Sequence, residues 1–220
     1  MNPLTIALPK GRLLEPAASL FRNLGWCCDL GNGSRQLLTT ETRKVKTTEE
    51  TMRFLLVKPA DVPVYVEYGA ADLGIVGQDV LRESGRDVYE PLTLGFGQCR
   101  LTLAGTPSQQ GRDFRLVGGL RVATKYPRLT HAHFQEQGLS VEVIPLAGSI
   151  ELAPLVGLAD LLVDVVETGR TLRENGLVKL QTIAECQATF IVNRVSHRLR
   201  LAEIRQLLSG LEAAKQRGVP

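Results

Sequence analysis

Apolar residues run without interruption through Leu4–Leu8, stop at Pro9-Lys10-Gly11-Arg12, and resume at helical spacing through Leu13, Leu14, Ala17, Ala18, Leu20, Phe21 and Leu24 until Gly25. A buried strand, a polar loop and an amphipathic helix follow from that order. The pattern then predicts strands over Gln36–Thr40 and Arg53–Val57 with polar chain between them. A short helix is expected over Ala60–Tyr68, with Pro63 in its first turn and Gly69 closing it. Leu73–Val76 reads as a buried strand, Gly77–Ser84 as a helix, and Val88–Leu94 and Arg100–Ala104 as two more strands. The Gln-rich stretch Gly105–Arg115, broken by Pro107, reads as a loop near a boundary.

Beyond that loop the pattern predicts strand Arg121–Thr124, helix Arg128–Gln137, strand Ser140–Pro145, helix Ser149–Gly157, strand Leu161–Val166 and a helix from about Gly169. Such alternation implies parallel strands with helices on both faces. Leu177–Ala184 and Ala188–Val192 add two strands. A stripe of Leu199, Ile204, Leu207, Leu208, Leu211 and Ala214 predicts a C-terminal helix over Ser196–Arg217 docked on the body. The expected architecture is α/β with two lobes around a cleft. Lobe I comprises residues 1–98 and 183–220, and lobe II residues 99–182. No period of 20 to 50 residues recurs, which excludes a solenoid.

Composition narrows the class without changing this picture. With 44% hydrophobic and 22% charged residues among 220, the chain can build a packed core. A net charge of +3, with the basic residues dispersed, argues against a nucleic-acid surface. No apolar run reaches the ~20 residues of a membrane helix. Met1-Asn2-Pro3-Leu4 leads straight into a strand without the order of regions found in a signal peptide, so a cytoplasmic location is expected. Cys27, Cys28, Cys99 and Cys186 lack Cys-x-x-Cys spacing and read as free, mostly buried thiols. His131 and His133 are two apart, wrong for one helical metal face, and His197 is isolated.

The segment Asp164–Thr171 carries the clearest chemistry. A buried strand runs into Glu167-Thr168-Gly169-Arg170-Thr171, where a helix begins. Free backbone N–H groups at such a junction suit a phosphate, Thr168 and Thr171 add hydroxyl donors, and Gly169 lets the backbone approach the anion. Asp164 and Glu167 suit ribose hydroxyls or, through water, a Mg²⁺ bridging pyrophosphate and sugar. A capped helix start with no ligand has the same local pattern. Lys10 and Arg12 follow the first strand, where loops of α/β sheets meet ligands. Arg35, Arg53 and Lys58 offer further positive charge for a departing pyrophosphate. Asp72 begins a strand. Lys125 and Tyr126 suit a phosphate or a stacked base, and Ser149 suits an N-cap or a ligand. No Gly-x-x-x-x-Gly-Lys-Ser/Thr segment is present, so ATP would not be held by a P-loop.

The order acid-x-x-acid-Thr-Gly-x-Thr resembles the phosphoribosyl pyrophosphate motif of phosphoribosyltransferases, with one departure. That motif usually has a second acid before the one matching Asp164, and Val163 stands there. Leu8–Leu13, Ala71–Gly77, Cys99–Leu101, Arg121–Pro127, Gly148–Pro154 and Glu174–Leu177 together resemble the successive blocks of ATP phosphoribosyltransferase. The resemblance implies a periplasmic-binding-protein-like type II fold. It implies attack of N1 of ATP's adenine on the anomeric carbon of phosphoribosyl pyrophosphate, with Mg²⁺ present and held through the bound donor rather than by protein ligands. It also implies the short form, lacking the regulatory domain of about 75 residues. Such a chain pairs as a homodimer and joins a regulatory subunit resembling histidyl-tRNA synthetase in a hetero-octamer. Under this reading Lys10, Arg12, Arg35 and Arg53 are catalytic. Asp164, Glu167, Thr168, Gly169, Arg170, Thr171, Lys58, Asp72, Tyr126 and Ser149 bind substrate.

Overall fold

The computed structural model describes residues 2–28, 37–45 and 48–217. Through the first half run β1 (Leu4–Pro9), α1 (Leu14–Asn23), β2 (Leu38–Val45), β3 (Thr48–Val57), α2 (Val62–Glu67), β4 (Leu73–Gly77), α3 (Gln78–Ser84), β5 (Tyr89–Thr93) and β6 (Cys99–Gly105). Then come β7 (Arg121–Thr124), α4 (Pro127–Glu136), β8 (Glu142–Pro145), α5 (Leu152–Leu155), β9 (Leu161–Val166), α6 (Arg170–Glu174) and β10 (Val178–Cys186). The chain finishes with β11 (Ala188–Val192), α7 (Arg194–Leu199) and α8 (Leu201–Gln216). Two compact units result, Met1–Gly97 with Gln187–Pro220, and Gln98–Cys186. Because β10 pairs with β6 from Val178 to Cys186, residues 183–186 fall in the second unit rather than in lobe I.

The first unit is a six-stranded sheet in the order β2-β3-β1-β4-β11-β5. Ile6, Leu8, Phe54, Ile75 and Phe190 pack on one face with α1 and α8, represented by Leu20, Phe21, Ile204 and Leu211. On the other face Ala7, Val76 and Ile191 meet α2 and α3 through Val62, Val66 and Leu81. Gly74 makes that second layer close. A Cβ there would lie 2.8 Å from Val66 Cγ2 and 2.9 Å from Val62 Cγ1, so a larger residue would push α2 off the sheet.

In the second unit the order is β10-β6-β9-β7-β8. Leu101, Leu103, Val122, Leu161 and Val163 pack with Phe134 of α4 on one face. Ala104, Ala123 and Leu162 pack with Ile150, Ala153 and Leu172 on the other. Apolar runs such as Leu161-Leu162-Val163 are continuous because both faces are covered.

Both sheets are mixed, against the expectation of parallel strands. β1 is parallel to β3 and β4, and β7 is parallel to β8 and β9. However, β11 runs antiparallel to β4 and β5, and β6 runs antiparallel to β9 and β10. The polar stretch expected between two separate strands is itself strand. β2 and β3 form a hairpin whose cross-strand pairs Arg43↔Glu50, Lys44↔Glu49 and Thr42↔Thr51 offset charge with charge and hydroxyl with hydroxyl. Gln36 lies outside the described residues. The helix expected over Ser149–Gly157 shrinks to Leu152–Leu155, closed off before Gly157, whose φ is +72°. The C-terminal helix is two, since Arg200 leaves the helical region at φ −124°, ψ 33°.

Candidate active site

In the second unit the parallel strands β7, β8 and β9 have their carboxyl ends on one edge, β9 running three residues beyond β7, and the loops Lys125–Tyr126, Leu146–Glu151 and Glu167–Gly169 follow from that edge. Ligands of open α/β sheets collect at such an edge. The turn after β9 is shaped by Gly169, which adopts φ +72°, ψ 14° and so starts α6 from the left-handed region. Thr168 Oγ1 accepts only a long bond of 3.4 Å from the Arg170 N–H. Neither the Gly169 N–H nor the Thr171 hydroxyl finds a partner among the described residues. Since α6 spans five residues, its dipole is small, and the donors that matter are the turn's own amides and hydroxyls. Arg170 spends its Nε on Glu174 Oε1 at 2.6 Å, and Asp164 Oδ1 accepts from its neighbour's N–H, Val165, at 2.8 Å.

Beside the turn lies a recess of about 380 Å³ lined by Glu167, Thr168 and Gly169 together with Arg100, Arg173 and Lys179. Sequence reading assigned no role to these last three cations. Register brings them there. Arg100 and Thr102 of β6 stand opposite Val166 and Asp164 of β9, and Lys179 of β10 stands opposite Ala104. No local signal reveals an antiparallel register, although Arg100 lies inside one of the quoted blocks. Arg100 is drawn toward Glu185, with Nε 3.4 Å from its carboxylate. Among the described residues no group of three or more His, Cys, Asp or Glu could hold a metal ion.

The first unit brings together some of the expected cations and separates others. Lys10 follows β1 and Lys58 follows β3, and the two chain segments are joined by the Lys10 N–H donating to Val57 O at 2.8 Å. Both lysines and Arg12 are exposed at this carboxyl edge. Arg53 sits elsewhere. It pairs with Thr5, the second residue of β1, and its Nε donates to Thr5 Oγ1 at 3.0 Å. Strand rise puts that position roughly 16 Å from Lys10, too far to share one small anion. Asp72 lies at the same amino edge. Its carboxylate accepts from the Thr5 N–H at 2.9 Å and the Ser196 hydroxyl at 2.6 Å, with Arg200 Nη1 at 3.6 Å. These bonds make Asp72 a tie between β1, β4 and α7, not a substrate ligand. Arg35 lies outside the described residues.

Two expectations in the second unit are also corrected. Tyr126 is 7% exposed and packs in the apolar cluster with Phe134 and Leu120, so its ring faces the core and is not presented for stacking on a base. Lys125 beside it is exposed. Ser149 does not cap a helix. It stands exposed in the left-handed region at φ +49°, three residues before α5 begins. For a non-glycine residue that conformation costs roughly 1–2 kcal/mol, and strain of this kind collects in ligand-binding loops.

The family described as HisG, ATP phosphoribosyltransferase, matches residues 58–213. ATP phosphoribosyltransferase of Geobacter metallireducens is 49% identical over 213 residues, covering 95% of this chain and 97% of its own. That of Ruminiclostridium cellulolyticum is 50% identical over 214 residues, 96% of each. Among solved structures, the ATP phosphoribosyl transferase (HisG:HisZ) complex from Thermotoga maritima contains a chain with TM-score 0.80 at 34% identity, covering 97% of this chain and 99% of that one. A histidine kinase sensor domain with similarity to periplasmic binding proteins gives TM-score 0.60 at 12% identity, a likeness of fold alone. The fold is thus of the periplasmic-binding-protein-like type II class. Coverage on this scale takes in both sheets and the turn after β9, and by it the chain belongs to the ATP phosphoribosyltransferase family, which transfers phosphoribosyl from phosphoribosyl pyrophosphate to N1 of ATP's adenine in the first step of histidine biosynthesis.

Proposed function

We propose that the turn Glu167–Thr171 holds the 5′-phosphate of phosphoribosyl pyrophosphate. The observation that carries this is the set of donors at the carboxyl edge that have no partner among the described residues, namely the Gly169 N–H and the Thr171 hydroxyl. Asp164 and Glu167 serve the ribose hydroxyls. Lys10, Arg12 and Lys58 supply positive charge to ATP or to the pyrophosphate as its bond to the anomeric carbon breaks. No protein nucleophile is needed, because adenine N1 is unprotonated at neutral pH and pyrophosphate leaves readily. Rate enhancement comes from holding donor and acceptor in line and from stabilising the leaving group. Glu167 and Asp164 are the carboxylates that would meet the waters of a Mg²⁺ arriving with the donor, and such an ion would supply charge neutralisation to the pyrophosphate.

The chain is proposed to act in the cytoplasm as a short-form catalytic subunit. It pairs with a second copy and with a regulatory subunit resembling histidyl-tRNA synthetase in a hetero-octamer. Support for the regulatory partner is the Thermotoga maritima neighbour, whose structure is a HisG:HisZ complex. No helix among the described residues is long and apolar enough to cross a membrane.

The test is pyrophosphate release from ATP plus phosphoribosyl pyrophosphate by wild type and Thr171→Ala, with and without the regulatory subunit. Loss of a hydroxyl bond to a charged phosphate is worth about 1.5–3 kcal/mol, so kcat/KM for the donor should fall roughly 10- to 100-fold. Equal activity of the two proteins would remove the turn from the donor site. Donor binding by calorimetry without turnover would instead leave a binding module.

A further inference from the structure

The two arginines of α6 behave differently. Arg170 is neutralised by Glu174. Arg173 forms no ion pair with any described residue and instead folds back on the turn, its Nη1 donating to Thr168 O at 3.0 Å. That same Nη1 lies 3.3 Å from where a Cβ on Gly169 would stand. The guanidinium therefore lies against the Thr168–Gly169 peptide on its carbonyl side. In a trans peptide the C=O and the following N–H point in opposite directions within one plane, and no cis peptide occurs among the described residues. Fixing the Thr168 carbonyl toward Arg173 thus fixes the Gly169 N–H away from it, and that N–H is the donor left without a partner among the described residues.

We infer that Arg173 is the positioning residue of the donor turn, orienting the Thr168–Gly169 peptide so that the Gly169 N–H faces the phosphate of a sugar phosphate. This rests on the donor reading of the Glu167–Thr171 turn. Without Arg173 the peptide can rotate and offer its carbonyl oxygen to the anion, replacing attraction by repulsion. A guanidinium does this better than an ammonium because its planar fork is preorganised. Arg173 acts through the backbone and need not touch the substrate.

The experiment is steady-state pyrophosphate release by Arg173→Gln and Arg173→Lys, varying donor at saturating ATP and then ATP at saturating donor. Expected is a KM for the donor about tenfold higher in Arg173→Gln, with partial recovery in Arg173→Lys. The KM for ATP should stay within about twofold of wild type. An unchanged donor KM in Arg173→Gln, or equal rises in both KM values, overturns the inference. Thr171→Ala run alongside separates the two readings. A donor defect in Thr171→Ala without one in Arg173→Gln removes only the positioning role, and no donor defect in either removes the donor turn itself. Should Arg173→Gln fold poorly, the split between the two KM values in Arg173→Lys decides alone.

Discussion

Replacing Gly169 by alanine tests the turn through its backbone. At φ +72°, ψ 14° the residue sits in the left-handed region, where an L side chain costs roughly 1–2 kcal/mol. The new methyl would stand 3.7 Å from Val166 Cγ1, an ordinary contact, and 3.3 Å from Arg173 Nη1, which is tight but is the far end of a flexible side chain. Steric cost is therefore small and strain dominates stability. For a chain of this length about 1–2 kcal/mol corresponds to a fall in Tm of roughly 2–8 °C. Function should suffer more than stability. Either φ is kept and Arg173 is pushed off the Thr168 carbonyl, or φ relaxes and the turn's amides swing away from the anion. Both routes raise the KM for phosphoribosyl pyrophosphate, by about tenfold or more, and leave the KM for ATP nearly unchanged. Gly169→Asn sharpens the assay, since asparagine tolerates the left-handed region yet carries the same Cβ. It should recover most of the lost Tm without recovering the donor KM. Calorimetric melts paired with initial rates at varied donor would decide. A normal donor KM in Gly169→Ala, whatever its Tm, would refute the argument.

Asp72→Ala should leave the donor KM alone and destabilise the first unit by about 1–3 kcal/mol, because it strands the N–H of buried Thr5. Urea melts and rates normalised to folded protein check this, and a raised donor KM would return Asp72 to the site. For Asp160, burial pushes the carboxyl pKa up, but the Arg121 N–H and guanidinium outweigh it and hold the pKa below the ordinary value. A depressed pKa stabilises the folded state above the usual carboxylate range near pH 4, and the benefit is lost as pH falls through the folded value. Asp160→Asn should therefore be less stable than wild type at pH 7, by less than about 1 kcal/mol for so exposed a pair. Its Tm deficit should shrink as pH falls below the usual carboxylate range and through the depressed folded-state value, and a deficit independent of pH would count against the charge.

The sequence pattern made β1 with α1, β4, β7, β9 and the turn at Gly169 legible, because each couples a run of buried residues to a glycine or proline stop. Strand direction was not legible. Nothing local in Ala188–Val192 or Cys99–Gly105 says that these strands run against their neighbours. The hairpin of β2 and β3 was half hidden for a related reason. Its Thr, Glu and Arg residues satisfy one another across strands, so its pairing lies in register rather than in periodicity. Register also separated the candidate cations. Arg53 and Lys58 are five residues apart in one segment and looked equivalent, but the pairing of β3 with β1 puts Arg53 beside Thr5 and Lys58 beside Lys10. Tyr126 misled because a tyrosine after a strand can face either way, and only the packing of α4 turns it inward.

Register also accounts for Val163, where the wider phosphoribosyl pyrophosphate motif usually has an acid. Successive residues of a strand face opposite sides of the sheet. Val163 is 0% exposed, opposite Leu103 of β6 and Thr124 of β7, in the apolar cluster beneath α4. Asp164, one step on, faces the other side, in register with Thr102, which lines the recess beside the turn. An aspartate at 163 would bury a charge with no cation among its neighbours, at a cost of several kcal/mol, or would remain protonated. It could not reach the recess either, because the strand's alternation sends it to the wrong face. Two adjacent acids can serve one ligand only where a strand has ended or one of its faces is open. Here β9 continues to Val166, and the face that Val163 presents is covered by the apolar cluster beneath α4. The fold therefore admits a single acid at this point of the strand, and the next one that can turn toward the ligand is Glu167, the first residue beyond it.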